Sequence, residues 1–341
     1  MNTSKKTLLL LIAFALLGAI ATWYLLTQPD DQTTLAGADR QFAIANTDVI
    51  YKIFIADRQG STTTLERRDG YWMYNGQYRA RPNAIDNLLD AIRRVQVKYK
   101  PPTAAVKHMV SDLATQGLKV ELYDKNNRLL KTYYVGGATA DERGTYMIMD
   151  RAEQPYVTHI PSWEGNLRFR YSLKGDDWRD KTIFAYRPED VQAVVIEYPK
   201  QRNNSFRLAR AGQDFRVQPF YEVTPVINRP LRSGVIEAYI EGFRSLGAEA
   251  FENKNPRRDS VLQLIPFSII SVTDKNGVTT TARLYPIFPE PIPGATRLPD
   301  ANVVERYFAA LDNGDFMLIQ HHVFKKILWG YEFFFQPAEA G

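Results

Sequence analysis

The sequence of 341 residues contains no cysteine and only four histidines. The absence of cysteine excludes disulfide bonds, thiol catalysis and cysteine metal sites. The chain also lacks a Gly-rich phosphate loop, a Gly-x-Ser-x-Gly motif and a His-Glu-x-x-His motif. His321 and His322 are adjacent, and on a strand they would point to opposite faces. We therefore expect no catalytic residue, no metal and no cofactor.

Charge and spacing bear on two further classes of function, nucleic-acid binding and hydrolysis. The net charge of +5 is mild for this length, and basic pairs such as Arg93-Arg94 lie among acids and helix-face residues. This distribution predicts no nucleic-acid binding. A glycosidase-type pair of acids has no local spacing in a sequence, so an undetected hydrolase stays open as an alternative.

What the sequence does contain is a repeated pattern. Phe42-Ala43 and Asp48-Val49 return as Phe184-Ala185 and Asp190-Val191, and Asp124-Lys125-Asn126 returns as Asp274-Lys275-Asn276. The spacing between the copies grows along the chain. It places extra residues of the second copy between its helix and the Asp274 turn, and again before Tyr307. Such self-similarity indicates a tandem duplication.

Each copy has the signals of strands, turns and one helix. Val49, Tyr51, Ile53 and Ile55 alternate with less apolar residues, which is typical of a half-buried strand. Pro82 and Pro230 lie near the start of amphipathic helices, and the identical Asp-Lys-Asn segments indicate hairpin turns. We predict an α+β fold in which an N-terminal transmembrane helix precedes two tandem repeats. Each repeat is a mainly antiparallel sheet with a covering helix, over residues 41–178 and 179–337.

An uncharged apolar run covers residues 7–26, long enough to cross a bilayer. Lys5 and Lys6 precede it, so the positive-inside rule places residues 1–6 in the cytoplasm and the bulk of the chain in the periplasm. Residues 27–40 then form a linker. The alternative is a cleaved signal peptide, because Ala19-Ile20-Ala21 has the small-x-small form of a cleavage site. The predicted anchor residues are Leu8, Ile12, Phe14, Trp23 and Tyr24.

Two segments are candidates for binding a partner. A proline-rich stretch before Tyr307 predicts a stiff, extended loop, either an ordinary decorated hairpin or a partner-binding loop. The charged segment 176–181 predicts a hinge with Trp178 buried between the repeats, rather than catalysis by its carboxylates. The candidate partner-binding residues are Pro286, Phe288, Pro289, Pro291, Pro293, Trp178 and Arg179.

Together these motifs resemble a known family. The Leu65-Glu66-Arg67-Arg68 meander, the Pro82-led helix, the Val135-Gly136-Gly137 turn, the Tyr146 strand and the Trp178-Arg179-Asp180-Lys181 segment look like the bacterial domain-of-unknown-function family 4340. The resemblance covers most of residues 42–335 and brings no catalytic residues. It implies an envelope protein with one N-terminal anchor, often encoded near gliding-motility-type ABC transporter auxiliary components.

We therefore expect a non-catalytic accessory or scaffold protein, anchored by a single span in the bacterial inner membrane. Its expected partners are other envelope or inner-membrane proteins, such as a transporter or a secretion or motility complex. The alternative is a periplasmic module that binds a glycan or another small ligand in a cleft between the two repeats, using some of the 19 tyrosines.

Overall fold

The computed structural model describes residue 37 and residues 39–212, 214–288 and 304–337. This part of the chain is a mixed α+β fold built mainly of antiparallel strands, as predicted. The chain divides into two compact units between Arg179 and Asp180. The predicted anchor at residues 7–26 lies outside the described residues. Within the described ranges, no helix combines the length and apolar character needed to span a bilayer.

The first unit is a sheet with two α-helices. Its sheet has the strand order β4-β3-β2-β1-β6-β7-β8-β9-β5. The elements are β1 Lys52–Ala56, β2 Thr62–Arg68, β3 Tyr71–Tyr74, β4 Tyr78–Arg79, α1 Pro82–Arg94, β5 Gln96–Tyr99, α2 Thr103–Gln116, β6 Leu118–Tyr123, β7 Leu129–Ala138, β8 Thr145–Met149 and β9 Tyr156–His159.

Local sequence explains the first hairpins of this unit. Asn75 and Gly76 both have positive φ values, 49° and 68°, which is the geometry of the two-residue turn that the Asn-Gly pair favours. Gly70 has a φ of 76° at the preceding turn. These two turns bring β2, β3 and β4 into one antiparallel meander.

Helix α1 begins at Pro82 and covers one face of the first sheet. Its buried residues recur at helical spacing and belong to the core of this unit, together with the inward residues of β1, β6 and β7. Trp178 belongs to the same core and has no exposed surface. Its indole N–H donates to the Leu173 carbonyl at 2.7 Å. The last residues of the first unit are therefore packed into its core through Trp178.

The second unit has a similar sheet with the order β13-β12-β11-β16-β17-β18-β19-β15, and a separate two-stranded ladder of β10 and β14. Its core is made only of residues from this unit. The elements are β10 Thr182–Phe184, β11 Val191–Glu197, β12 Phe206–Ala211, β13 Asp214–Pro219, α3 Val235–Glu241, β14 Leu246–Gly247, β15 Ala250–Phe251, α4 Arg258–Leu262, β16 Ser268–Asp274, β17 Thr279–Ile287, β18 Arg306–Leu311, β19 Phe316–Gln320 and α5 His321–Phe324.

The two sheets share one strand order. The series β3-β2-β1-β6-β7-β8-β9-β5 corresponds strand by strand to β13-β12-β11-β16-β17-β18-β19-β15. Among the described strands, β4 is the one member of the first sheet without a counterpart in the second. The repeated Asp-Lys-Asn segments form identical turns, since Asp124 and Asp274 each accept backbone N–H bonds from the residues two and four positions later.

The structure corrects several details of the sequence interpretation. Helix α3 begins at Val235, after Gly234 with a φ of 66°, and not near Pro230. Gly136 and Gly137 lie within strand β7 rather than in the connection that follows it. The alternation of Ile265, Phe267 and Ile269 predicts a strand, but Ile265 is exposed and β16 begins only at Ser268. Helix α2 was not predicted, because its few buried residues give it little apolar periodicity.

Of the two insertions predicted in the second copy, the one before Tyr307 is confirmed, since β17 ends at Ile287 and β18 begins at Arg306, and the one after the helix was placed wrongly. The connection from β13 to α3 covers residues 220–234, whereas the corresponding connection from β3 to α1 covers only residues 75–81. The additional residues therefore precede the helix and do not follow it. They directly follow β13, the last strand of the second sheet, and they contain no strand equivalent to β4.

Candidate functional site

Both units use one arginine to fix the start of their first long strand. The Arg67 guanidinium donates from Nε to the Ile50 carbonyl and from Nη2 to the Thr47 carbonyl, both at 3.0 Å. It also lies 4.9 Å from the centroid of the Trp72 ring. The pair Arg67–Trp72 is in register across β2 and β3. A guanidinium suits this role because it donates in a plane and stacks on an aromatic ring.

Arg210 makes the same arrangement in the second unit. Its Nε donates to the Val191 carbonyl at 3.2 Å and its Nη2 to the Pro188 carbonyl at 3.0 Å. The guanidinium lies 4.4 Å from the centroid of the Phe215 ring, and Arg210 and Phe215 are in register across β12 and β13. Phe215 is thus the structural counterpart of Trp72, which makes the two sheet edges directly comparable.

In the first unit the chain after β3 closes the sheet edge. Strand β4 pairs with β3, and the Ala80 N–H donates to the Trp72 carbonyl at 2.7 Å. Ala80 also bridges to Arg179, and the Arg81 N–H donates to the Trp178 carbonyl. Ala80 is only 2% exposed. Little of this edge is open to a partner.

In the second unit the corresponding edge is open. Leu231 bridges to Phe335 and the Arg232 N–H donates to the Phe334 carbonyl, so Leu231 occupies the position of Ala80. However, β13 ends its sheet, and no described residue forms a strand on its outer edge. Leu231 is 38% exposed, and Phe215 and Ile236 are half-buried where Trp72 and Ile85 are buried.

A groove of about 690 Å³ lies at this open edge, between β13, the 3₁₀ turn before β11 and helix α3. Its volume falls in the range of ligand and peptide sites. Its apolar floor and its polar rim come from all three elements. The lining residues are Pro188, Glu189, Arg210, Asp214, Phe215, Leu231, Ile236, Glu237, Ile240 and Glu241.

The rim of the groove is mostly acidic, with four carboxylates and one guanidinium among its lining residues. The Arg210 guanidinium is engaged by two backbone carbonyls and the Phe215 ring. Arg244 hydrogen-bonds to Glu241, and this bond lowers the pKa of the Glu241 carboxyl. Glu189, Asp214 and Glu237 are exposed. The groove therefore offers an apolar floor under a negative rim.

The residues singled out from the sequence lie elsewhere. Pro286 belongs to β17, opposite Tyr307, at a point beyond the end of β16 where its missing N–H leaves no ladder bond unmade. Phe288 is 56% exposed. Pro289, Pro291 and Pro293 lie outside the described residues, as do Leu8, Ile12, Phe14, Trp23 and Tyr24.

The hinge residues are not surface groups. Trp178 is buried in the core of the first unit and Arg179 is 7% exposed. The Arg179 guanidinium lies 3.8 Å from the centroid of the Tyr78 ring and pairs with Asp176 at 3.1 Å. These contacts belong to the packing of the first unit rather than to an exposed surface. In the described ranges no three His, Asp or Glu side chains converge as metal ligands would.

The groove was not found from the sequence. Its one local signal is the longer connection at residues 220–234, which interrupts the match between the two copies. The acids of the rim come from three separate segments, and only the fold brings them together. A sequence pattern does not carry such a site, because its residues have no fixed spacing.

The fold defines a class of α+β proteins in which two mainly antiparallel sheets of the same strand order follow one another along the chain. The chain belongs to the family described as Domain of unknown function (DUF4340), whose model matches residues 54–264. This match confirms the resemblance seen in the sequence and spans the division between the two units. Neither a curated protein nor a solved structure matches the chain.

Proposed function

We propose that this protein is a membrane-anchored accessory protein of the bacterial cell envelope, which binds another envelope protein through the groove of its second unit. The observation that carries the proposal is the difference between the two sheet edges. The first unit closes its edge with β4, whereas the second leaves β13 and an apolar floor accessible. An exposed apolar surface bounded by polar residues is typical of an interaction site.

The anchor in this proposal is the apolar run at residues 7–26, preceded by Lys5 and Lys6. Such a run is long enough to span the hydrocarbon core, and the flanking charges favour a cytoplasmic N-terminus. The two units then stand in the periplasm. Binding without catalysis fits the groove, whose convergent groups are carboxylates on a surface rim rather than a nucleophile with a base.

The proposal is tested by purifying the tagged full-length chain from its native membranes in mild detergent, with mass spectrometry of the proteins that accompany it. A groove variant, Glu237→Lys, is compared with Asp86→Lys. Ala84 on α1 matches Val235 on α3, because the N–H of each donates to the carbonyl three residues earlier. Asp86 and Glu237 each lie two residues further along their helix, and both are exposed. The two variants therefore make the same charge change at equivalent helix positions.

We expect one envelope protein to accompany the wild-type chain and Asp86→Lys in a fixed ratio, and to be reduced with Glu237→Lys. Circular dichroism of each variant checks that the fold is kept. A chain that is recovered alone in several mild detergents would contradict an accessory role. A partner that Glu237→Lys and Asp86→Lys retain equally would keep the role but remove the groove from it.

A further inference from the structure

The open edge of β13 has a defined hydrogen-bonding direction. In an antiparallel sheet the N–H and C=O groups of alternate residues point to opposite neighbours. The Phe220 N–H donates to the Ser205 carbonyl on the β12 side, so the backbone groups of Phe215 and Val217 point the other way. Phe215 thus presents a donor and an acceptor to the groove, as Trp72 does to Ala80 in the first unit.

The far end of this edge is blocked and the near end is not. Pro219 has the same parity as Phe215 and has no N–H to offer to an added strand, which is a common protection of edge strands. The acids and the apolar floor of the groove lie at the Asp214–Phe215 end. The groove and the available backbone groups therefore coincide over a short length of strand.

We infer that the groove binds an extended segment of a partner protein that adds a strand to β13 and carries alternating apolar and basic side chains. This inference rests on the proposed function and names the chemistry of the partner. The added strand restores in the second sheet the pairing that β4 makes in the first. Strand addition at a sheet edge is a recurrent mode of peptide recognition, in which backbone bonds give affinity and side chains give specificity.

The side chains of the groove select such a segment. Phe215, Leu231 and Ile236 form an apolar floor that receives alternate side chains of the added strand. Glu189, Asp214 and Glu237 are exposed carboxylates that attract lysine or arginine at the intervening positions. The one lining cation, Arg210, is already bound to two carbonyls and stacked on Phe215. Opposite charge across the interface sets the choice of partner and its orientation.

The test uses the full-length chain in detergent and three kinds of fluorescent hexapeptide, with binding followed by fluorescence anisotropy. The first probe alternates valine with lysine, and the second alternates valine with glutamate. The third repeats the valine–lysine sequence with N-methyl groups on the backbone nitrogens of alternate residues. It is made in two versions, one for each edge of the peptide strand, because alternate residues direct their N–H groups to opposite edges. It keeps the charge and apolar character of the first probe but removes the donors that a strand ladder needs.

We expect the valine–lysine probe to bind, the valine–glutamate probe not to bind, and one N-methylated version to bind at least about tenfold more weakly, which corresponds to about 1.4 kcal/mol. Glu237→Lys should weaken binding of the valine–lysine probe by about tenfold, and the matched Asp86→Lys should leave this affinity unchanged. This pattern requires both the charge of the groove and the backbone of the peptide.

Three results would overturn the inference. The first is binding of both N-methylated versions as tight as that of the unmodified valine–lysine probe. The second is an equal loss of affinity for this probe in Glu237→Lys and Asp86→Lys. The third is absence of binding by the valine–lysine probe at millimolar concentration. The proposed function fails separately, when no protein accompanies the wild-type chain from the membrane. A partner that co-purifies through the groove but does not bind as an extended basic strand leaves the proposed function standing and removes this inference.

Discussion

At the scale of single residues, the repeated arginines are the feature that both units share most closely. Each guanidinium donates to one carbonyl of a 3₁₀ turn and to the carbonyl of the residue that follows the turn, and it lies over an aromatic ring on a neighbouring strand. The Thr47 and Pro188 carbonyls each also accept the backbone N–H of the residue three positions later, so the guanidinium adds a second hydrogen bond to each. An arginine in this position fixes the angle at which the chain enters the central strand of the sheet.

Arg67→Lys should therefore destabilise the first unit by about 2 kcal/mol, because an ammonium replaces neither the two-point donation nor the ring contact. Urea unfolding of the full-length chain, followed by tryptophan fluorescence, measures the change. Arg68→Lys is the control, since the Arg68 side chain is 47% exposed and pairs with Glu66 on the same strand. Equal effects of the two substitutions would contradict the role given to Arg67.

Three hydrogen bonds hold the Asp57 carboxylate in its ionised form. Its carboxylate accepts a hydrogen bond from Lys174 at 2.6 Å and backbone bonds from Gln59 and Ser61, and these contacts lower its pKa from 3.8 to about 2. The folded state therefore favours the ionised form. The stabilisation is fully present above pH 3.8 and is lost as the pH falls through about 2.

Asp57→Asn should lower the urea midpoint of the first unit at pH 7, and the difference from the wild type should shrink between pH 4 and pH 2. Lys174→Met removes the partner and should show the same pH dependence. The interpretation fails when the difference between the wild type and Asp57→Asn stays constant across this interval. The Lys174 side chain is 57% exposed, so the effect should also decrease at high salt.

At the scale of elements, helix α2 packs on β7 through two glycines. The Asp112 carboxylate accepts the Gly137 N–H at 2.6 Å, and a Cβ at Gly136 would lie 2.7 Å from Asp112 Oδ2 and 3.0 Å from Leu113 Cδ2. Gly136→Ala should therefore displace the Asp112 carboxylate from the Gly137 N–H and cost about 1–3 kcal/mol. Faster hydrogen exchange of α2 amides would report the change.

Gly247→Ala is the matched control in the second unit, because a Cβ there would meet its nearest atom at 3.5 Å. We expect little change in stability or exchange from that substitution. Unaltered exchange of α2 in Gly136→Ala would show that the helix is not held through this contact.

The elements that follow local rules were predictable from the sequence. The Asn75-Gly76 turn, the two Asp-Lys-Asn turns and the Ile85–Ile92 face of α1 each rest on residues close together in the chain. Helix α2 and the start of α3 were missed because their limits depend on packing and on Gly234 rather than on apolar periodicity. Trp178 was assigned to a hinge because its charged neighbours conceal a core position.

At the scale of the whole molecule, each unit has a hydrophobic core made of its own residues. Trp178→Ala should remove a fully buried side chain from the first core and cost about 3–5 kcal/mol. Hydrogen exchange of the full-length chain should then show faster exchange in β1–β3 and unchanged exchange in β11–β13. Equal acceleration in both sets of strands would contradict the assignment of Trp178 to one core.

The groove lay beyond sequence reasoning because it is a difference between two similar structures. Its acids, Glu189, Asp214 and Glu237, are unremarkable in their own segments, and the pairing lost at Leu231 is seen only beside the pairing kept at Ala80. Once the register of Phe215 is matched to that of Trp72, the open edge follows directly.

The connection at residues 220–234 has a consequence for how such a chain can be altered. A longer loop in one of two similar units removes one edge pairing and leaves both cores complete. The two units thus differ at one sheet edge while each keeps a core of its own residues. Replacing residues 220–234 with the shorter connection of residues 75–81 should give β13 the added strand that β4 supplies to β3, and so make the edges of the two sheets alike.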